Sequence, residues 1–123
     1  MTALDTRVLD TKVQEIGSNA KGYKDINMLI FFGNNAPDLL RAECYLIEDH
    51  NLNGKIEPGM TLKIGDNEYK ITAVGKEVNQ NVGALGHTAV NFTGDTEAEL
   101  PGSLYVESKP YPDINVGDEV SIF

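Results

Sequence analysis

The chain has 123 residues, of which 24% are charged, and its formal net charge is −9. Acidic residues outnumber basic ones by 19 to 10, which argues against nucleic acid and anionic membrane surfaces as partners, because both require clustered lysine and arginine. The single cysteine, Cys44, excludes an internal disulfide and a thiolate metal cluster.

The N-terminal half predicts short strands and one helix. Residues 1–10 lack the apolar core of a signal peptide, and we expect a leader there, either disordered or extending a sheet edge. Residues 11–123 are expected to form one domain. Strands are predicted over residues 11–16, 27–32 and 44–47, and a polar turn-rich segment follows the first. Asn35 can cap a short helix over residues 35–42, in which Pro37 suits the first turn.

A weak internal repeat marks the second half of the chain. Residues 56–64 and 114–122 share the pattern I-x-x-G-x-x-[LV]-x-I, in which a glycine permits a turn and the following residues alternate. Further strands are predicted over residues 61–64 and 68–74, joined as a hairpin, and over 87–92 and 100–106, with a short helix over 76–85. The fold class is therefore all-β, a single compact barrel or folded sheet of about seven to eight short strands with one or two short helices.

An uncharged window surrounds one of the two histidines. Residues 78–94 contain no acidic or basic side chain, and His87 lies within them. Alternation along residues 87–92 predicts that Val90 and Phe92 face the core and that His87 lies on the more accessible opposite face. One interpretation is structural, with His87 as a hydrogen-bonded polar residue of a buried strand.

The other interpretation is phosphoryl transfer to the imidazole of His87. An attacking imidazole must be neutral with one nitrogen free, and neighbouring carboxylates would repel the transferred group. Neutral donors near His87 are available from Gly86, Thr88 and Asn91, which makes these three the candidate phosphoryl-stabilising residues. His50 is the second choice as acceptor, because two carboxylates precede it.

The sequence gives less support to two other kinds of site, a nucleophilic cysteine and a metal site. Cys44 begins an apolar strand, where a cysteine usually serves packing rather than nucleophilic attack. Glu48, Asp49 and His50 contain metal-binding atoms, but three adjacent residues of an extended segment cannot all face one ion. Metal-dependent hydrolysis at these residues therefore remains a minor alternative, and the sequence predicts no metal and no organic cofactor.

Several short motifs are similar to one bacterial protein family. Residues 85–94 (LGHTAVNFTG) and 97–102 (EAELPG) resemble the glucitol/sorbitol-specific IIA component of the phosphotransferase system. Further matches, in the same order along the chain, are residues 36–37 (AP) ahead of Cys44, 58–59 (PG), 69–75 (YKITAVG) and 116–118 (VGD). Together they cover nearly everything from Thr11 onward.

The resemblance implies a cytoplasmic phosphoryl carrier with an all-β barrel fold. Such a carrier accepts phosphate on a histidine from the histidine-containing phosphocarrier protein and passes it to the sorbitol-specific IIB component. The membrane permease then phosphorylates the sugar alcohol during uptake, and the carrier itself does not insert into the membrane. The alternative function is a non-catalytic barrel that binds a small ligand or acts as a regulatory module.

The chain departs from the family pattern at one position. Some members carry a histidine on the strand after the cysteine, in the region where the phosphorylated residue has been placed. In this chain Ile47 stands there, and His50 is near but not clearly equivalent. His87 lies within the Leu-Gly-His motif of the family, so we expect His87 to be the acceptor and keep His50 as the second choice.

Overall fold

A computed structural model of the protein describes residues 7–123. Within this range eight strands close into a barrel in the order β1-β3-β2-β6-β7-β5-β4-β8, which confirms the predicted all-β barrel. The strands are β1 Leu9–Ile16, β2 Met28–Gly33, β3 Tyr45–Ile47, β4 Thr61–Ile64, β5 Asn67–Val74, β6 Thr88–Asn91, β7 Ser103–Val106 and β8 Glu119–Ile122. Residues 1–6 of the predicted leader lie outside the described residues, and β1 begins at Leu9, two residues before the predicted start.

The internal repeat builds two adjacent strands of the barrel. Gly59 and Gly117 have φ angles of +93° and +94°, in the left-handed region that glycine enters without strain. Ile56 and Ile114, at the first position of each repeat, are each 1% exposed. The strands that follow, β4 and β8, pair with each other in antiparallel register. The two turn-plus-strand units predicted from the repeat are therefore neighbours in the sheet.

Two α-helices and one 3-10 helix complete the described chain. Helix α1 comprises only Asp38–Arg41, shorter than the predicted helix. Pro37 is its N-cap residue with an extended ψ of 146°, so the helix cannot include Asn35, which therefore is not its cap. Helix α2, Val78–Leu85, forms where a helix was predicted. The turn-rich segment after β1 instead forms a 3-10 helix, Ala20–Ile26.

A different helix closes each end of the barrel. Strands β2 and β3 run parallel, and the 3-10 helix lies at their starting end, where it contacts β2. Helix α2 lies at the other end and directs Val78 and Val82 into the core, where both are buried. Both ends of the main hydrophobic core are thereby closed by short helices.

A second, smaller hydrophobic cluster packs outside the barrel and contains the only cysteine. Phe32, Ala36, Cys44 and Leu46 form it, with Ile30 at its margin. Burial, and to a lesser extent the charge of Glu43, raises the pKa of the Cys44 thiol to about 11. The native protein therefore contains little of the thiolate that reacts with electrophiles.

We expect Cys44 to be alkylated by iodoacetamide at pH 8 about a hundredfold more slowly in the native protein than in urea, because its pKa is raised. In the native state the Cys44 thiol also stays protonated at pH values above 9.0, its ordinary pKa. The contribution of this group to the free energy of unfolding should therefore decline as pH rises from 9 toward 11. Mass spectrometry of timed reactions measures the rates, and equal rates in both states would contradict the expectation.

Candidate active site

The pairing of β2 with β6 brings an aromatic side chain against His87. The antiparallel register pairs Phe31 with Thr88, and one step further along the same register places Phe32 opposite His87. Their rings are stacked, with centroids 4.5 Å apart and an interplanar angle of 28°. The imidazole thus lies beside the second hydrophobic cluster, on the face opposite the barrel core, as the alternation predicted.

A backbone carbonyl fixes the protonation pattern of the His87 ring. Its Nδ1 lies 3.2 Å from the carbonyl oxygen of Phe31. A carbonyl can only accept a hydrogen bond, so Nδ1 must carry the proton and donate it. In the neutral ring the lone pair is then on Nε2. His87 is partly exposed, and Nε2 is the ring nitrogen that can act as a nucleophile when the imidazole is neutral.

The Gly33–Gly86 pair, the next step of the same register, provides the surface on which His50 packs. A Cβ atom on Gly33 would lie 2.9 Å from Cδ2 and 3.2 Å from Nε2 of His50. A Cβ atom on Gly86 would lie 3.1 Å from the Cβ of His50, and Gly86 also has a φ of +69°. Because successive strand residues face opposite sides, His50 and His87 lie on opposite faces of these strand ends.

The surroundings of His50 are more negative than those of His87. Its Nδ1 lies 3.1 Å from the carbonyl oxygen of Gly83, which belongs to the last turn of α2. This helix end carries partial negative charge. Glu48 and Asp49 precede His50 and are exposed. Like His87, His50 donates its Nδ1–H to a backbone carbonyl. Its Nε2 packs against Gly33, and the carboxylates of Glu48 and Asp49 disfavour an added phosphoryl group on this histidine.

The three predicted phosphoryl-stabilising residues use their donors elsewhere. The N–H of Gly86 donates to the Val82 carbonyl at 2.8 Å. Thr88 is 5% exposed, and its hydroxyl oxygen lies 3.1 Å and 3.2 Å from two backbone carbonyl oxygens. The Asn91 amide donates to the Leu104 carbonyl at 3.4 Å, and four residues of strand put it about 13 Å from His87. The structure therefore does not bring a free donor from these residues to the imidazole.

The other candidate sites gain no support from the geometry. Cys44 has a raised pKa, which disfavours the thiolate that a nucleophilic cysteine needs. Among residues 7–123, no group of three or more His, Cys, Asp or Glu side chains could hold a metal ion. Ile47, where the resemblance led us to expect a histidine, is 2% exposed and belongs to the barrel core.

Several residues that shape the site were missed by sequence reasoning. They are Phe31, which supplies the carbonyl, Phe32, which stacks on the ring, and two glycines that contact His50, Gly33 and Gly83. The run from which the first two come was correctly predicted as a strand, but its partner was not assigned. A pairing of β2 with β6 in the observed register would have identified Phe32 and Gly33.

Residues 8–121 match the model of the family described as "PTS system glucitol/sorbitol-specific IIA component". The chain belongs to this family. Proteins named "PTS system glucitol/sorbitol-specific EIIA component" from Shigella flexneri and from Escherichia coli (strain K12) are each 35% identical to it over 108 residues. The alignment covers 88% of this chain and 87% of each relative. The resemblance inferred from the sequence motifs is thus confirmed.

A solved structure has the same fold. The crystal structure of a PTS system IIA component from Enterococcus faecalis V583 superimposes with a TM-score of 0.82 at 28% sequence identity. The superposition covers 91% of this chain and 97% of that one. Phosphotransferase IIA components pass phosphate to IIB components within the same system. Among residues 7–123, no helix has the length and apolar character needed to span a membrane.

Proposed function

We propose that this protein is the phosphoryl carrier of a glucitol/sorbitol phosphotransferase system and that Nε2 of His87 is the accepting atom. Family membership supports the carrier function. The observation that carries the assignment to His87 is the stacked Phe32 ring, beside the hydrogen bond from its Nδ1–H to the Phe31 carbonyl. These contacts hold the imidazole in one orientation, with the lone pair of Nε2 available for attack. His50 has an equivalent hydrogen bond to the Gly83 carbonyl, but within residues 7–123 no aromatic ring stacks on it.

The reaction is an in-line exchange of one nitrogen–phosphorus bond for another. The lone pair of Nε2 forms a bond to phosphorus while the bond to the donor histidine nitrogen breaks, and the donor imidazole takes back that electron pair. Positive charge develops on the His87 ring and is stabilised by the Nδ1–H···O=C contact with Phe31. In the second transfer a nucleophile of the IIB component forms the new bond to phosphorus while the bond from Nε2 breaks, and the His87 ring takes back that electron pair. No metal or organic cofactor is required for either step.

His50 is the weaker candidate on electrostatic grounds. A phosphoryl group is destabilised beside carboxylates. Both histidines lie near the C-terminal end of α2, but only His50 directly follows two carboxylates, those of Glu48 and Asp49. Residues 78–94 around His87 contain no acidic side chain. We therefore assign His50 a packing role on the Gly33–Gly86 pair and phosphoryl transfer to His87.

The neighbours of His87 then act by fixing the backbone. Gly86 ends α2 with its positive φ and permits the turn into β6. Thr88 anchors the start of that strand through its hydroxyl contacts with the Ala89 and Gly102 carbonyls. Asn91 fixes the opposite end of β6 through Leu104. Donors to the transferring oxygens would come in part from the partner protein, which must cover His87 during transfer.

Phosphoryl uptake is the direct test of the proposed function. The purified protein is incubated with the histidine-containing phosphocarrier protein, its own phosphoryl-donating enzyme and labelled phosphoenolpyruvate, and then with the IIB component and the membrane permease. We expect stoichiometric label that is acid-labile and base-stable, and its passage onward to IIB. Failure to take up label from an active phosphocarrier would favour the binding-module alternative.

Transfer should also depend on ionic strength. With a net charge of −9, the protein should attract a donor that has a basic docking face, and salt screens that attraction. Raising the salt concentration from 50 to 500 mM should therefore lower the second-order transfer rate by about tenfold. Single-turnover rates at several donor concentrations separate association from chemistry. A rate that does not change with salt would contradict electrostatic docking.

A further inference from the structure

A pocket lies at the opposite end of the barrel from the two histidines. Its volume is about 180 Å³. It lies between the 3-10 helix and the segment before β8, where Tyr45 is the first residue of β3. The lining residues are Lys21, Lys24, Tyr45, Tyr111, Pro112 and Asp113.

Tyr45 and Tyr111 together have one hydroxyl group that is free to donate a hydrogen bond to a ligand. The hydroxyl oxygens of Tyr45 and Tyr111 lie 3.4 Å apart, and a single hydrogen bond between them uses only one of their two protons. Within residues 7–123 neither hydroxyl has another hydrogen-bond partner. Burial, and then the hydrogen bond with Tyr45, raises the pKa of Tyr111 above its ordinary value. Tyr111 therefore keeps its proton, and because the pair shares only one hydrogen bond, one phenolic O–H is available to donate into the pocket.

The charges at the pocket complement an anion that carries hydroxyl groups. Lys21 and Lys24 are exposed, and in the described part of the chain no carboxylate lies within ion-pair distance of either ammonium group. Together with the free phenolic proton they supply donors for the oxygens of a phosphate. The carboxylate of Asp113 would repel a bare phosphate but can accept hydrogen bonds from hydroxyl groups.

We propose that this pocket binds a small phosphate ester bearing free hydroxyl groups, at a site separate from the phosphoryl-accepting histidine. The ester phosphate is bound by the two lysines and the tyrosine hydroxyl, and its hydroxyl groups donate to Asp113. The inference does not depend on which histidine is phosphorylated, because the pocket lies at the other end of β2 and β3.

Binding to the unphosphorylated protein tests the proposal. Glycerol 3-phosphate, inorganic phosphate and glycerol are titrated separately, and two-dimensional NMR follows the backbone amide signals. We expect saturable shifts confined to the pocket residues, with the ester binding at least about threefold more tightly than phosphate and glycerol not binding. Lys24→Gln and Tyr111→Phe should each weaken ester binding by about tenfold. The matched control Lys12→Gln, an exposed lysine on β1, should change nothing.

Three outcomes would overturn the proposal. Shifts that do not saturate would exclude a site. Shifts centred on His50 and His87 would move anion binding to the phosphoryl-transfer end of the barrel. Equal affinity for inorganic phosphate and the ester would exclude selection by Asp113. Phosphoryl uptake is measured on the same Lys24→Gln and Tyr111→Phe variants and should remain at the wild-type rate, which separates this site from the proposed function.

Discussion

His87→Asn is expected to reduce phosphoryl uptake by at least about a thousandfold, because removal of an attacking nucleophile has effects of this size or larger. Asparagine retains an N–H that can reach the Phe31 carbonyl, since its amide nitrogen occupies roughly the position of the imidazole Nδ1. The variant should therefore keep its fold, while it lacks the Nε2 lone pair. Labelled phosphate per protein after incubation with the phosphocarrier measures the loss, and circular dichroism checks the fold.

His50→Asn is the matched control for this experiment. It removes the other imidazole and keeps an N–H that can reach the Gly83 carbonyl. We expect uptake within about threefold of wild type, because His50 makes packing contacts rather than a covalent bond in the proposed mechanism. Loss of uptake in His50→Asn alone would keep the carrier function and transfer the acceptor role to His50. Loss in neither variant would show that the label is on another residue.

Gly33→Ala is expected to lower the free energy of unfolding by roughly 1–3 kcal/mol, the usual range for a methyl group added to a filled space. The new Cβ would lie 2.7 Å from the Leu85 carbonyl oxygen and 2.9 Å from Cδ2 of His50. Either the end of α2 or the His50 ring must move to accommodate it. Urea denaturation measures the stability, and the imidazole NMR signals report whether His50 is displaced.

Gly22→Ala provides the control for the added methyl group. A Cβ at Gly22 meets no atom within 4 Å, and its φ is not in the left-handed region. We expect no loss of stability and a gain of up to about 1 kcal/mol, because alanine lowers the entropy of the unfolded chain. If both variants lost equal stability, the effect would come from glycine replacement in general and not from crowding at the Gly33–Gly86 pair.

The barrel was predictable because its strands follow local rules. Alternating residues and short continuous apolar runs identified the strands, and the repeat identified β4 and β8 through Gly59 and Gly117. The strand order was not predictable, since pairing depends on contacts between distant segments. The 3-10 helix was missed because a polar segment containing Gly22 has the composition of a turn. Helix α1 is shorter than predicted because Pro37 adopts an extended ψ, which single-residue preferences do not reveal.

The site was predictable only in part. The alternation along β6 predicted which face His87 occupies, and local charge distinguished it from His50. The sequence could not show that Phe32 stacks on His87, because this contact depends on a register between segments 55 residues apart along the chain. Asn91 shares the face of His87, but one strand face extends over several residues. Asn91 is therefore too far from the imidazole to contact it, although both side chains lie on the same face of the strand.

The position of β8 has a consequence for the synthesis of the protein. This strand lies between β1 and β4, and Ile122 pairs with both Leu9 and Leu62. Until residues 119–122 have left the ribosome, β1 and β4 each present an open edge of unpaired backbone groups. Closure between segments this far apart is slow. We therefore expect the nascent chain to expose these two strand edges until residues 119–122 are available to pair with them.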